Sequence, residues 1–187
     1  MMDFYILIIL FIVFIIILYE ISHGIKRQCD RYKYYNMAFN KSRTIKKPLI
    51  VYGDPYNGTG SKIYNNFMKI YGHGDETVDL TGCPKCPNGI KQDIYDHLKS
   101  KPDNSCVVFI SCVLEYIPHI DNVIYEILRV AGCWENVYVV TVNKNTLSAY
   151  FYKDKNDVSK NIVFAPPKYN KITYEKIKCN INKYISL

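Results

Sequence analysis

The sequence predicts an α/β fold: a mainly parallel sheet flanked by helices, preceded by one N-terminal transmembrane helix. Three observations predict it. The chain opens on an uncharged apolar run, FYILIILFIVFIIILY, from Phe4 to Tyr19. Behind it, short β-branched runs alternate with segments of helical periodicity. One of those runs, SCVVFISCVL (105–114), reads as a continuous, largely apolar and β-branched stretch, as suits a strand covered on both faces.

The leader is apolar on every side, which suits lipid or a deep core and not a surface helix. With Met1, Met2 and Ile21 it reaches roughly 24–30 Å as a helix, close to the thickness of a hydrocarbon core. Asp3 and Glu20 bound it, and Tyr5 and Tyr19 stand where interfacial aromatics belong. Nothing basic precedes it except the terminal amine. Lys26, Arg27, Arg31, Lys33, Lys41, Arg43, Lys46 and Lys47 follow it. The positive-inside rule then places the N-terminus outside and the C-terminal body in the cytosol. A cleaved secretory signal would want a basic start and a small-x-small cleavage site, and the chain offers neither. The short span suits a thin bilayer such as the endoplasmic reticulum.

Three regions follow from this: an anchor (1–21), a basic juxtamembrane linker (22–46) and one soluble domain (47–187). The net charge of +7 comes mostly from the linker. Its mixture of Lys, Arg and Tyr fits a topogenic flank, or a surface for anionic lipid headgroups over 26–47. No later stripe of basic and aromatic residues suggests nucleic acid as a partner. Seven cysteines, scattered and odd in number, argue for reduced thiols and against a secreted disulfide scaffold.

The domain reads element by element. PLIVYG (48–53) is a short strand stopped by Gly53, Asp54 and Pro55. Ser61 to Tyr71 can be helical. ETVDLTG (76–82) is a second strand. Gly89 to Ser100 has Ile90, Ile94 and Leu98 at helical spacing. After the 105–114 strand, Pro118 to Val130 forms a helix with Ile120, Ile124, Ile127 and Leu128 on one side. ENVYVVTV (135–142) is a further strand. Asn161 to Phe164 looks like a strand broken by Pro166-Pro167, and 172–184 reads as a last strand or helix.

In such sheets ligands bind beyond the carboxyl ends of the strands. The loop GDPYNGTGS (53–61) occupies that place after the first strand. It lacks the Gly-Lys-Ser/Thr ending of a phosphate-binding loop and the glycine spacing of a dinucleotide fingerprint. Taken alone it is equally a plain turn. Asp79 ends the second strand, where a carboxylate can accept from both hydroxyls of a ribose. Asp93 precedes a helix; it can accept from an adenine amine or simply cap the helix.

In this order the residues resemble the class I S-adenosylmethionine-dependent methyltransferases, over about residues 47–145. The resemblance rests on SCVVFISCVLEYIPHIDNVIYEILRVAG, with its turn Val113-Leu114-Glu115-Tyr116 and its helix residues Glu126, Arg129 and Val130. The architecture is also similar to small membrane-anchored members of that Rossmann-like fold in large DNA viruses. The resemblance implies S-adenosylmethionine as cofactor. Gly53, Gly58 and Gly60 would lie under its methionine part, Asp79 at the ribose and Asp93 near the adenine, with Cys112 and Val113 flanking it. The acceptor would be a lipid, a small molecule or a membrane-associated protein, with Tyr116 and His119 placed to assist. Val51 departs from the pattern, because an acid is usual two residues before the first loop glycine. The loop is also enlarged by Pro55 and Tyr56, Asp54 is the available substitute acid, and the body is short enough to lack a late strand. A catalytically silent binding protein of the same fold is the alternative.

CPKCP (83–87) allows three further readings: half of a tetrahedral zinc site in an interaction module, a redox dithiol, or a proline-stiffened turn that shapes the pocket. No second C-x-x-C completes a zinc set, so no metal ligands are assigned from the sequence.

Overall fold

A computed structural model describes residues 2–56, 67–68, 72–117 and 120–140. The expected helix at 61–71 and the strands and breaks expected after residue 142 lie outside the described residues.

The chain begins with one long helix, α1 (Met2–Ile45). Five strands follow: β1 (Leu49–Tyr52), β2 (Glu76–Asp79), β3 (Gly89–Lys91), β4 (Val107–Ser111) and β5 (Val137–Val140). Helix α2 (Ile94–Lys99) joins β3 to β4, and α3 (Ile120–Ala131) joins β4 to β5. Short 3-10 turns occupy Leu114–Tyr116 and Trp134–Asn136. All strand pairs are parallel and lie in the order β3-β2-β1-β4-β5. Strand order therefore reverses between β1 and β4, and this pair forms the centre of the sheet.

Alternation along β1 and β4 builds two cores. Ile50, Tyr52, Val108 and Ile110 face one side, where they meet Leu98 of α2 and Val123, Ile127 and Val130 of α3. Leu49, Val51, Val107 and Phe109 face the other side and meet Tyr34 and Ala38 of α1. Every residue of these two strands is buried, as the uninterrupted β-branched runs predict. The α/β architecture expected from the sequence is therefore present: a five-stranded parallel sheet with helices on both faces.

The apolar end of α1 carries a window of mean hydropathy 3.0, none of it buried. It is long and apolar enough to cross a membrane. The stretch expected as a linker differs from that reading. It continues as helix to Ile45, and its last turns lie on the sheet. The reason is local: Tyr34, Ala38 and partly buried Tyr35, Met37 and Phe39 supply an apolar stripe within the basic sequence. Two polar clamps hold this end. The Tyr35 hydroxyl donates to the His73 carbonyl at 2.8 Å. The Arg43 guanidinium pairs with Asp75 at 2.9 Å, and the other Asp75 oxygen accepts from the Leu49 amide at 2.7 Å.

The helix expected over Gly89–Ser100 is also shorter. Gly89–Lys91 pairs with β2, and the helix starts only after Asp93, whose carboxylate caps the Tyr95 amide at 2.8 Å. A Cβ at Gly89 would lie 2.2 Å from the Cys83 carbonyl, so the 83–86 turn presses directly on this strand.

Arg129 explains the Glu-x-x-Arg pattern of α3. Its Nε donates to Glu126 at 2.7 Å, and its Nη atoms reach the carbonyls of Lys101 and Leu98 at 2.9 Å and the carboxylate of Asp103. One guanidinium thus satisfies carbonyls at the end of α2 and ties that helix to α3. Arg129→Ala is expected to destabilise the fold by about 2 kcal/mol, read as a shift in urea midpoint. Arg129→Lys should recover little of it, because an ammonium cannot span these acceptors at once.

Candidate functional site

The carboxyl ends of β1, β2 and β4 converge, and three short turns leave them. Gly53 follows β1 with φ +99°. A Cβ there would lie 2.8 Å from the Ser111 carbonyl and 3.0 Å from a Val113 methyl. Glycine is thus required both by backbone conformation and by the close approach of the β4 turn. The Gly53 amide donates to the Val78 carbonyl at 2.9 Å, which fastens the turn to β2 as well.

Asp54 and Asp79 meet directly. The Asp54 amide donates to Asp79 Oδ2 at 3.1 Å. Asp79 Oδ1 accepts from the Thr81 amide at 2.8 Å and from its hydroxyl at 2.6 Å. Asp54 Oδ1 accepts from the Tyr56 amide at 2.8 Å. Burial pushes the Asp54 carboxyl above its ordinary value; the Tyr56 amide opposes this, and the Asp79 charge adds to it.

On β4, Cys112 has φ +52°, a left-handed conformation uncommon for a residue with a side chain, and its amide donates to the Val140 carbonyl at 2.8 Å. Val113 follows against Gly53. The structure thus brings together Gly53, Asp54, Asp79, Cys112 and Val113 at the reversal point of the sheet. Asp93 lies beyond β3, two strands from β1, and acts as the cap of α2. Gly58, Gly60 and His119 lie outside the described residues. Val51 points away from this crevice into the core beneath α1, so an acid at that position would be buried among apolar groups.

One contact escaped the sequence reading. Cys83 Sγ lies 3.2 Å from Asp54 Oδ1, and Cys83 is bonded to Cys86 as a disulfide. The expectation of reduced thiols is corrected for this pair: the proline-flanked turn brings their Cα atoms to 5.5 Å, within bridging distance. Cys29, Cys106, Cys112 and Cys133 remain free thiols. Cys106 is the most inert of them, since burial pushes its thiol up to about 11.

A second polar cluster was also missed. Tyr52 Oη and His97 Nδ1 are hydrogen-bonded at 2.9 Å, His97 Nε2 reaches Glu76 at 2.9 Å, and Lys101 Nζ reaches the same carboxylate at 2.7 Å. Tyr52 and His97 are buried within the core under α2.

Among the described residues, two hollows lie elsewhere. One, of about 500 Å³, is lined by Arg43, Lys46, Lys47 and Asp75 at the amino edge of the sheet. The other, of about 350 Å³, is lined by Tyr95, Asp121, Tyr125 and Glu126 between α2 and α3. Neither includes the β1–β4 crevice.

The fold and this crevice define a class: a parallel α/β protein with its reversal point between β1 and β4. Comparison with known protein families, curated proteins and solved structures finds no match to the chain.

Proposed function

We propose that the chain is a single-pass, membrane-tethered methyltransferase that binds S-adenosylmethionine above β1, β2 and β4. The observation that carries this reading is the meeting of the β1 turn with Asp79, where the Asp54 amide donates to Asp79 Oδ2. Ligands of parallel sheets bind beyond the strand ends at the reversal point, and here a carboxylate stands at the tip of the adjacent strand. In this reading Asp79 accepts from the ribose hydroxyls. Asp54 replaces the acid missing at Val51, Gly53 lets the β4 turn pack against the β1 turn beneath the ligand, and Cys112 and Val113 line the wall beside it. Asp93 lies toward the adenine end. When bound, the cofactor supplies an electrophilic methyl group. The protein contributes chiefly by holding the acceptor in line with it, and membrane tethering concentrates lipid-borne acceptors at the site.

The basic flank sets the proposed orientation, with the folded body on the cytosolic side. Because α1 is continuous, lipid contact is proposed for Lys26, Arg27, Arg31 and Lys33. Lys46 is about 38 Å along the axis from Ile21, too far for the headgroups of a membrane that α1 crosses upright.

The test is S-adenosylmethionine binding by calorimetry, using the full chain in detergent micelles. Micromolar binding is expected, weakened about tenfold or more by Asp79→Ala in protein that keeps its circular dichroism. No binding at millimolar cofactor would replace this reading with the catalytically silent one.

A further inference from the structure

We propose that Cys83, Cys86 and Asp54 form a thiol-gated zinc site, closed as a disulfide when oxidised and able to load Zn²⁺ once a dithiol reduces it. The inference goes beyond the methyl-transfer reading and stands without it.

The donor set comes first. The two sulfurs and a carboxylate oxygen of Asp54 all lie within 4.8 Å of one another. A tetrahedral zinc ion, with bonds of about 2.3 Å to sulfur and about 2.0–2.2 Å to oxygen, needs such atoms about 3.5–3.8 Å apart. Asp54 Oδ1 lies 3.2 Å from Cys83 Sγ, slightly inside that range. Once the disulfide opens, the sulfurs have to separate by side-chain rotation alone, since their Cα atoms stand 5.5 Å apart. Two thiolates with one carboxylate is a set that favours zinc over the hard oxygen-seeking cations. The fourth position is left to water.

The scaffold is equally suited. The Cys86 amide donates to the Cys83 carbonyl at 3.1 Å, and the Gly89 amide donates to the Cys86 carbonyl at 3.2 Å. Pro84 and Pro87 stiffen the same turn. Both cysteines are buried, Cys83 at 4% exposure and Cys86 at 8%, so the fold holds both sulfurs in place. Asp54 comes from the end of β1 and the cysteines from the β2–β3 turn. A bound ion would tie the two together. The carboxylate of Asp79, which accepts from the Asp54 amide, adds negative charge beside the site.

The step balances. Two electrons from a dithiol break the Cys83–Cys86 bond. The reductant leaves as its own disulfide, and its two protons end on the cysteine sulfurs. Zn²⁺ then displaces those two protons into water as both thiolates bind.

The experiment titrates zinc into the full chain in detergent micelles, with no S-adenosylmethionine present, before and after reduction by a phosphine that does not itself bind zinc. One equivalent is expected to bind only after reduction. Cobalt in its place should show a thiolate charge-transfer band. Cys83→Ser should abolish binding, and Asp54→Asn, which keeps the shape of the side chain, should weaken it about tenfold or more. Cys29→Ser and Cys133→Ser should leave it unchanged. The proposal is overturned if the reduced chain takes no zinc, if zinc binds equally before reduction, or if Asp54→Asn has no effect. The last variant decides the matter even where Cys83→Ser fails to fold. Failure of cofactor binding would leave all of these outcomes untouched.

Discussion

A chain that starts at residue 44 is expected not to fold, whereas one that starts at residue 23 should fold and be soluble without detergent. The difference lies in what α1 does after it leaves the apolar run. Tyr34 and Ala38 cover Leu49, Val51, Val107, Phe109 and Val140, all of them buried. Stripping that cover returns five large strand side chains to water, at roughly 1.5–3 kcal/mol for each side chain fully exposed. The total is on the order of 10 kcal/mol, comparable with the whole stability of a typical domain. The same cut removes Arg43 from Asp75 and Tyr35 from the His73 carbonyl. Starting at residue 23 instead removes only the exposed apolar end and keeps these contacts. Thermal melts and gel filtration of the two truncations check the expectation. A cooperative melt from the shorter one would show that α1 is a tether and nothing more.

This dual use of α1 has a functional consequence. In a loosely linked tether, the body would sample many orientations at the membrane. A continuous helix that spans a membrane at one end, as proposed, and packs on the sheet at the other would restrict them. In that reading the turns above β1 and β4 would be held at a distance and angle set by α1.

The parts legible in the sequence are those whose signal is local. β1 and β4 announce themselves because both faces are covered and every position but Ser111 is apolar. Gly53 and Asp79 stand out because they directly follow strands of a parallel sheet, where a ligand crevice forms. The parts that were not legible depend on distance along the chain. Strand β3 has three residues, one of them glycine, and its Ile90 also fits the helical spacing of Ile94 and Leu98. The packed half of α1 hid behind its charges, since the residues fully buried against the sheet are a tyrosine and an alanine. The contact between Asp54 and Cys83 joins residues 29 apart, and that between Tyr52 and His97 joins residues 45 apart. No spacing rule reaches across such separations; only the order of the strands brings them together.

The buried His97 should make stability depend on pH. Glu76 can only accept, so His97 Nε2 carries the proton and Nδ1 of the neutral ring accepts from the Tyr52 hydroxyl. Burial holds the imidazole below its ordinary value, and the Lys101 charge acts in the same direction, while Glu76 opposes both. The unfolded chain therefore binds a proton more readily than the folded one. Stability from this group is fully present above the unfolded value near 6.5. It declines as pH falls from there toward the depressed folded value, and is flat below it. Urea midpoints measured between pH 8 and pH 5 should show this decline, and His97→Gln should remove its share of the slope. His97→Ala is the harsher change. It leaves a cavity under α2 and strands the Tyr52 hydroxyl in the core, at an expected cost of about 4 kcal/mol at neutral pH. A flat pH profile in the native chain, or an unchanged slope in His97→Gln, would place the proton-linked group elsewhere. Because the cluster shares no hydrogen-bond partner with Asp79, Asp79→Ala should leave the His97 contribution intact, and that independence separates the role of the core from the role of the site.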